Sequence, residues 1–207
     1  MKAVGLYEYL PIADENSLQD VDLSKPEASG RDLLVAVKAI SVNPVDTKIR
    51  APKEAKETSP RVLGWDAAGI VVAIGDGVTQ YTVGDEVFYA GDITRAGTNS
   101  EFHLVDERIV GYKPKTLSFA EAAALPLTSI TAWEALFDRL GTSKTGENSG
   151  KSILIVGGAG GVGSIAIQLA KKLASLYVIA TASRAETRDW GMQLGAEQIV
   201  NQRQELA

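Results

Sequence analysis

Through the first hundred or so residues, apolar positions alternate with polar ones in short runs. Leu33, Val35, Val37 and Ala39 fall on one side of an extended chain, the period of a half-buried strand. Ala67 to Ile74 is a continuous apolar run closed by Gly75-Asp76-Gly77, a strand entering a turn. Val83-Gly84-Asp85-Glu86-Val87-Phe88-Tyr89 reads as a turn and a further strand, and Glu101 to Val105 as another. Short strands separated by turns predict a partly open β-barrel. Ala51 to Ser59, rich in Lys, Glu and Pro, is expected as a mobile surface loop.

Near residue 118 the period becomes helical. Ser118-Phe119-Ala120-Glu121 fits a capping box, serine and glutamate each closing on the other's amide. Thr131 to Leu140 is expected as a second helix stopped by Gly141. Thr142 to Gly150 is a polar linker.

A different unit follows. An apolar strand, Ile153 to Val156, meets Gly158-Ala159-Gly160-Gly161-Val162-Gly163, then a helix-periodic segment, then a second strand from Tyr177 to Thr181. Strand, glycine turn, helix and strand in this order carry a dinucleotide-binding signature. The expected division of labour gives Gly158 the tight turn, Gly160 the close approach of a pyrophosphate and Gly163 the packing of helix on strand. The first amides of the helix then face the phosphates. Ala185 to Leu194 is a further helix stopped by Gly195, and Gln198 to Val200 begins a third strand. A complete doubly wound sheet has about six strands. The expectation is therefore a fragment of a longer chain, or failing that a sheet completed by a partner.

The fold class expected is α/β: a GroES-like partly open β-barrel over residues 1–124, then the first half of a doubly wound (Rossmann) parallel sheet over residues 125–207.

Composition narrows the functions. Hydrophobic content of 45% and charged content of 23% belong to an ordinary globular chain. The net charge of −5 is spread along the sequence without a basic stripe, which argues against nucleic acid as a partner. The uncharged run from Ser152 to Ala170 changes from strand to helix midway, so no membrane span is expected, and the N-terminal residues, without a long apolar core, give no expectation of a secretory leader. There is no cysteine, which removes disulfides, thiolate metal sites and cysteine nucleophiles. A cytoplasmic location is expected. His103 is the single histidine and lies in an expected strand, so it reads as structural. Without it no Ser-His-Asp set can be assembled.

Several phrases together resemble the medium-chain dehydrogenase/reductase superfamily, and within it the zinc-free quinone oxidoreductase (zeta-crystallin-like) branch. They are Ser41-Val42-Asn43-Pro44-Val45-Asp46-Thr47-Lys48, Gly64-Trp65-Asp66-Ala67-Ala68-Gly69, Val83-Gly84-Asp85-Glu86-Val87 and Gly157-Gly158-Ala159-Gly160-Gly161-Val162-Gly163. The resemblance implies that Asn43 and Asp46 belong to the active site, with the asparagine beside nicotinamide and substrate, and that Thr128 lies near the nicotinamide. Asn43-Pro44-Val45-Asp46 equally fits a helix start, with Asn at the N-cap, Pro at N1 and Asp at N3; both roles stay open. Where the superfamily's zinc alcohol dehydrogenases place a cysteine and a histidine-glutamate pair, this sequence has Asn43 and Trp65-Asp66. An amide and an indole are not zinc donors, so no metal is expected. Lys48 stands where relatives often carry an aromatic residue.

Cofactor choice is read from the end of the second strand. Ser183 and Arg184, with Arg188 one helical turn on, present no carboxylate to a ribose and two guanidiniums to a phosphate. NADPH is expected, with Gly158, Ala159, Gly160, Gly161, Val162, Gly163, Ser183, Arg184 and Arg188 as its binding residues. Alternatively Arg184 and Arg188 only decorate a helix, with Glu186 as a local partner. The activity implied is zinc-free hydride transfer from NADPH to a small quinone or α,β-unsaturated carbonyl, by a homodimer. The alternatives are a zinc-dependent alcohol dehydrogenase and a non-catalytic NADPH-binding or structural protein.

Overall fold

The computed structural model describes residues 1–201 and 203. The chain divides into two compact units, Met1–Leu127 and Thr128–Ala207.

The first unit is built from antiparallel strands. β1 (Lys2–Tyr9), β2 (Gln19–Asp22) and β4 (Lys53–Val62) form one sheet in the order β2-β1-β4. β3 (Asp32–Ser41), β5 (Asp66–Ile74), β6 (Glu86–Ala90), β7 (Phe102–Asp106) and β8 (Val110–Tyr112) form another in the order β7-β3-β5-β6-β8. Two separate sheets leave the barrel partly open. The strand periodicity of the sequence is met by burial: Leu33, Val35, Ala67, Val71, Val87, Tyr89 and Val105 make one core cluster. A second cluster holds Leu6, Tyr9, Leu63 and Trp65, with Val45 and Ile49 packed on it.

The stretch expected as a loop, Ala51 to Ser59, is instead largely strand β4, paired antiparallel with β1. Its residues are mostly exposed on both faces, so no alternation marks it. Cross-strand partners replace a buried face: Lys56 Nζ binds Glu8 at 2.7 Å, Lys53 lies 3.9 Å over the Tyr9 ring, and Tyr9 donates to Glu57. β4 stands at the sheet edge, where charges and Pro60 suit a strand that must not recruit another chain.

Between β3 and β4 runs α1 (Pro44–Arg50). α2 (Phe119–Ala123) begins at the Ser118 capping box, Glu121 N donating to Ser118 Oγ at 3.3 Å and Ser118 N to Glu121 Oε2 at 2.8 Å. α3 (Pro126–Trp133) starts earlier than the expected Thr131, and from Glu134 to Arg139 the winding widens to a π-helix. The Leu140 N–H reaches the Ala135 carbonyl at 3.0 Å. Gly141, with φ of +62°, ends it.

The second unit carries a parallel sheet, β9 (Ser152–Ile155), β10 (Tyr177–Thr181) and β11 (Gln198–Val200), in the order β11-β10-β9. α4 (Gly161–Lys172) connects β9 to β10, and α5 (Ala185–Gln193) connects β10 to β11. Ile167 and Ala170 of α4 are fully buried with Val178 and Ala180 of β10. Order and direction are those of the first half of a doubly wound sheet. Among the described residues no helix is long and apolar enough to cross a membrane.

Candidate functional site

In the second unit the glycine turn lies at the carboxyl ends of the parallel strands, where ligands of such sheets bind. Gly157 makes the tight turn, with φ of +71°, a region that side chains rarely enter. The role expected of Gly158 therefore falls to its neighbour. Gly158 has a different duty: a Cβ there would stand 2.6 Å from the Ala180 Cβ of β10. A Cβ on Gly163 would stand 2.4 Å from the Gly157 carbonyl oxygen and 2.7 Å from the Gly158 Cα, so α4 packs as closely on the turn as the spacing predicts.

The turn is tied to β10. The Gly157 amide donates to Thr181 Oγ1 at 2.9 Å and the Gly158 amide to the Thr181 carbonyl at 3.0 Å. Gly160 is the N-cap of α4, no side chain caps the helix, and its first turn holds no acidic residue. First-turn amides have no intrahelical partner, and with the dipole they suit an anion.

A cleft of about 420 Å³ opens beside the turn, lined by Gly157, Ala159, Gly160, Ser183, Arg184 and Arg203, with Thr187 at its side. Three expected residues besides Gly160 thus meet in one cleft: Ala159, Ser183 and Arg184. Gly161, Val162 and Gly163 sit on α4 and do not line it, nor does Gly158. Arg188 stands exposed on α5, also outside. Arg184 does have the local partner considered for it, Glu186, at 3.3 Å in an exposed pair. Sequence reasoning missed Arg203, Thr187, Thr181 and Gly157. Arg203 follows the end of β11 as Arg184 follows the end of β10, and that equivalence was the available signal. Thr128 lies against the helix start: its Cγ2 would be 2.9 Å from a Cβ on Gly161.

In the first unit the pairing of β3 with β5 sets Ser41 opposite Asp66, and the chain enters α1 two residues later. Asn43 is the N-cap, Pro44 opens the helix and Asp46 is at N3. Asp46 Oδ2 accepts the Asn43 backbone N–H at 2.7 Å. The Asn43 side chain is turned elsewhere: Nδ2 donates to Asp66 Oδ2 at 2.8 Å. Asp66 Oδ1 accepts the Leu127 N–H at 2.9 Å, and the Thr98 hydroxyl reaches the Asp66 carbonyl at 3.4 Å. Asp66 is wholly buried and Asn43 and Asp46 are nearly so. Burial raises the Asp66 carboxyl to about 6, opposed by the Asn43 and Leu127 bonds and assisted by the nearby Asp46 charge. Asp46 Oδ1 and Trp65 Nε1 are buried without a partner. Lys48 is exposed.

This donor set does not fit a catalytic zinc. Amide and indole stand at two positions where thiolate and imidazole are needed, and the Asp66 carboxylate is committed to two N–H donors. His103 is bound elsewhere: Nε2 donates to the Ala96 carbonyl at 2.9 Å, leaving Nδ1 to accept the Tyr89 hydroxyl at 3.1 Å. Burial lowers its pKa to about 4, so it is a neutral part of the scaffold.

A partly open antiparallel barrel unit followed by the glycine-turn half of a doubly wound parallel sheet defines a two-unit α/β architecture. The family model of the alcohol dehydrogenase GroES-like domain matches residues 29–134, and the chain belongs to that family, within the medium-chain dehydrogenase/reductase superfamily. It is 46% identical over 208 residues to a zinc-type alcohol dehydrogenase-like protein of Staphylococcus epidermidis, covering 100% of this chain and 61% of that protein. It is 40% identical over 190 residues to the 2-methylene-furan-3-one reductase of Solanum lycopersicum, covering 87% and 47% respectively. A crystal structure from Rhizobium etli CFN 42, provisionally named a zinc-dependent alcohol dehydrogenase, superposes with a TM-score of 0.92 at 60% identity over 99% of this chain and 59% of that one. The Escherichia coli quinone oxidoreductase complexed with NADPH superposes with a TM-score of 0.83 at 30% identity, over 100% and 60%. The chain thus spans about 61% of the length of the Staphylococcus relative.

Proposed function

We propose that this chain carries the barrel unit and the phosphate-binding turn of an NADPH-dependent reductase of quinones and α,β-unsaturated carbonyls that works without zinc. The observation that carries the proposal is the cleft at the glycine turn, with Ser183, Arg184 and Arg203 among its described lining residues and no carboxylate among them. Gly160 leaves its backbone bare at the cleft, and only the Gly157 carbonyl, at 3.3 Å, lies near where its Cβ would be. A pyrophosphate can approach such a wall closely, and guanidiniums and a hydroxyl suit a further phosphate on the ribose. Complexation of the E. coli relative with NADPH supports the same choice, as the names of the quinone and furanone reductases support the acceptor class.

When bound, the nicotinamide supplies the hydride. The residues of this chain bind and orient. First-turn amides of α4 hold the diphosphate, and Arg184, Arg203 and Ser183 hold the ribose phosphate. Asn43, whose amide nitrogen has a second hydrogen beyond the one given to Asp66, donates to the acceptor oxygen as it gains negative charge. Asp46 fixes the backbone of Asn43, and Thr128 steadies the start of α4.

The test is NADPH oxidation by the full-length protein with a panel of quinones and enones, NADH run in parallel, after dialysis against a chelator. Turnover with NADPH that survives chelation is the expected outcome. No turnover with any acceptor defeats the enzyme reading. Stoichiometric zinc after dialysis reinstates the alcohol dehydrogenase that the names of two relatives suggest.

A further inference from the structure

Asp66 is a buried carboxylate for which the reaction above has no use. Its two oxygens accept from two different elements, Asn43 Nδ2 at 2.8 Å and the Leu127 N–H at 2.9 Å. An ionised carboxylate only accepts, so the nitrogen side of the Asn43 amide must be the side that faces it; the carbonyl side would be repelled. Asn43 is consequently gripped by two carboxylates, Asp46 on its backbone N–H and Asp66 on its side chain. A primary amide has two hydrogens that diverge in one plane. Holding one of them fixes the direction of the other.

We propose that Asp66 is a positioning residue: it locks the Asn43 amide so that the second Nδ2 hydrogen is presented to the acceptor oxygen. This rests on the reading of Asn43 as the donor to that oxygen. Five neighbours of Asp66 fit the duty. Ser41 of β3 and Ala90 of β6 flank it in the sheet, Thr98 bonds its carbonyl, Leu127 supplies an N–H, and Asp46 of α1 is the charged group that faces it. Among these neighbours the two N–H donors are the groups that hold the carboxylate in place.

The substitution Asp66→Asn separates positioning from packing. The new side chain is isosteric, but its own NH2 must oppose either the Asn43 amide or the Leu127 N–H, so one of the two bonds is lost. The first measurement is the side-chain NH2 signal of Asn43 by NMR, with no substrate present. In the wild type its two protons are expected far apart in shift, and their separation follows the titration of Asp66 near pH 6. In Asp66→Asn the separation collapses. The second measurement is a double-mutant cycle with Asn43→Ala on quinone or enone reduction. Asn43→Ala is expected to lower kcat about 100-fold and Asp66→Asn about 10- to 100-fold, with NADPH affinity unchanged. The double variant falls no further than the worse single one, because the losses share one path.

Additive losses, or Asn43 signals indifferent to Asp66, overturn the proposal. Should Asp66→Asn fail to fold, the wild-type titration decides alone, and Asn43 signals that do not move while the Asp66 carboxyl carbon titrates overturn it. A wild type that reduces no acceptor defeats the functional reading instead, and the spectra still report whether Asp66 grips Asn43.

Discussion

Gly157 and Thr181 are joined across the turn: the glycine amide donates to the threonine hydroxyl at 2.9 Å, while the next amide, of Gly158, takes the threonine carbonyl at 3.0 Å. The hydroxyl serves a backbone group that the left-handed turn would otherwise strand. Thr181→Val keeps the shape and removes the acceptor. A donor left without a partner costs about 1–3 kcal/mol. The variant is expected to lose that much stability in denaturant titrations and to bind NADPH several-fold more weakly, as the turn loosens.

Gly163 and Gly160 separate packing from binding. Gly163→Ala puts a methyl 2.4 Å from the Gly157 carbonyl oxygen, a backbone contact that cannot swing aside. Overpacking of this kind costs roughly 1–3 kcal/mol, so the melting temperature and the nucleotide affinity should fall together. Gly160→Ala has its nearest neighbour at 3.3 Å and a backbone that alanine adopts readily (φ −74°, ψ 170°). Its stability should fall less than that of Gly163→Ala, by the modest cost of alanine at an N-cap, while calorimetry shows NADPH affinity falling, because the methyl stands at the cleft. Equal affinity in wild type and Gly160→Ala would mean that the diphosphate does not approach this glycine.

These contrasts also show what the sequence could and could not reveal. Strands with one buried face, such as β3 with Leu33 and Val35, announce themselves by alternation. β4 does not, because its stability comes from cross-strand charge pairs and a cation over Tyr9, which leave no period behind. The glycine turn was legible because three of its residues answer to local sterics. Arg203 left only a positional signal, its place after β11 matching that of Arg184 after β10, and the parallel pairing of β11 beside β10 is what carries it to the same cleft. Asp66 enters the sequence reading only within the Trp65-Asp66 pair that stands where a metal-binding pair would be. Its partnership with Asn43 depends on the register of β3 against β5, which sets Ser41 opposite Asp66 and which residue spacing does not display.

Two buried groups give stability opposite slopes in acid. The Asp66 carboxyl is raised from 3.8 to about 6, so its favourable term is full below pH 3.8 and is lost as pH rises through 6. The His103 imidazole is lowered from 6.5 to about 4, so its term is full above pH 6.5 and is lost as pH falls through 4. At about 1.4 kcal/mol for each unit of displacement, each amounts to roughly 3 kcal/mol, and between pH 4 and 6 they offset one another. His103→Gln should therefore gain stability on acidification relative to wild type, and Asp66→Asn should lose it. Urea midpoints at a series of pH values check both signs. Parallel pH curves for wild type and either variant would show that the buried group does not titrate in this window.

The arginines decide between phosphate recognition and surface decoration. Arg184 and Arg203 line the cleft, whereas Arg188 does not, although spacing along α5 made it an equal candidate. The Arg184–Glu186 pair is exposed on both sides, and exposed pairs are worth about 0–1 kcal/mol. A ribose phosphate can draw the guanidinium away at little cost, since a charge-assisted bond is worth about 1.5–3 kcal/mol. Arg184→Ala and Arg203→Ala should each weaken NADPH binding about 10-fold or more and leave NADH affinity unchanged, because NADH lacks the phosphate. Arg188→Ala should alter neither. Raising the salt concentration should weaken NADPH binding more steeply in wild type than in either cleft variant, as each has one charge fewer to screen. The measurement is calorimetric titration of both nucleotides into the four proteins. An equal loss for NADH and NADPH would place these arginines on the diphosphate or in the scaffold, and a loss at Arg188 alone would move the phosphate onto the exposed face of α5.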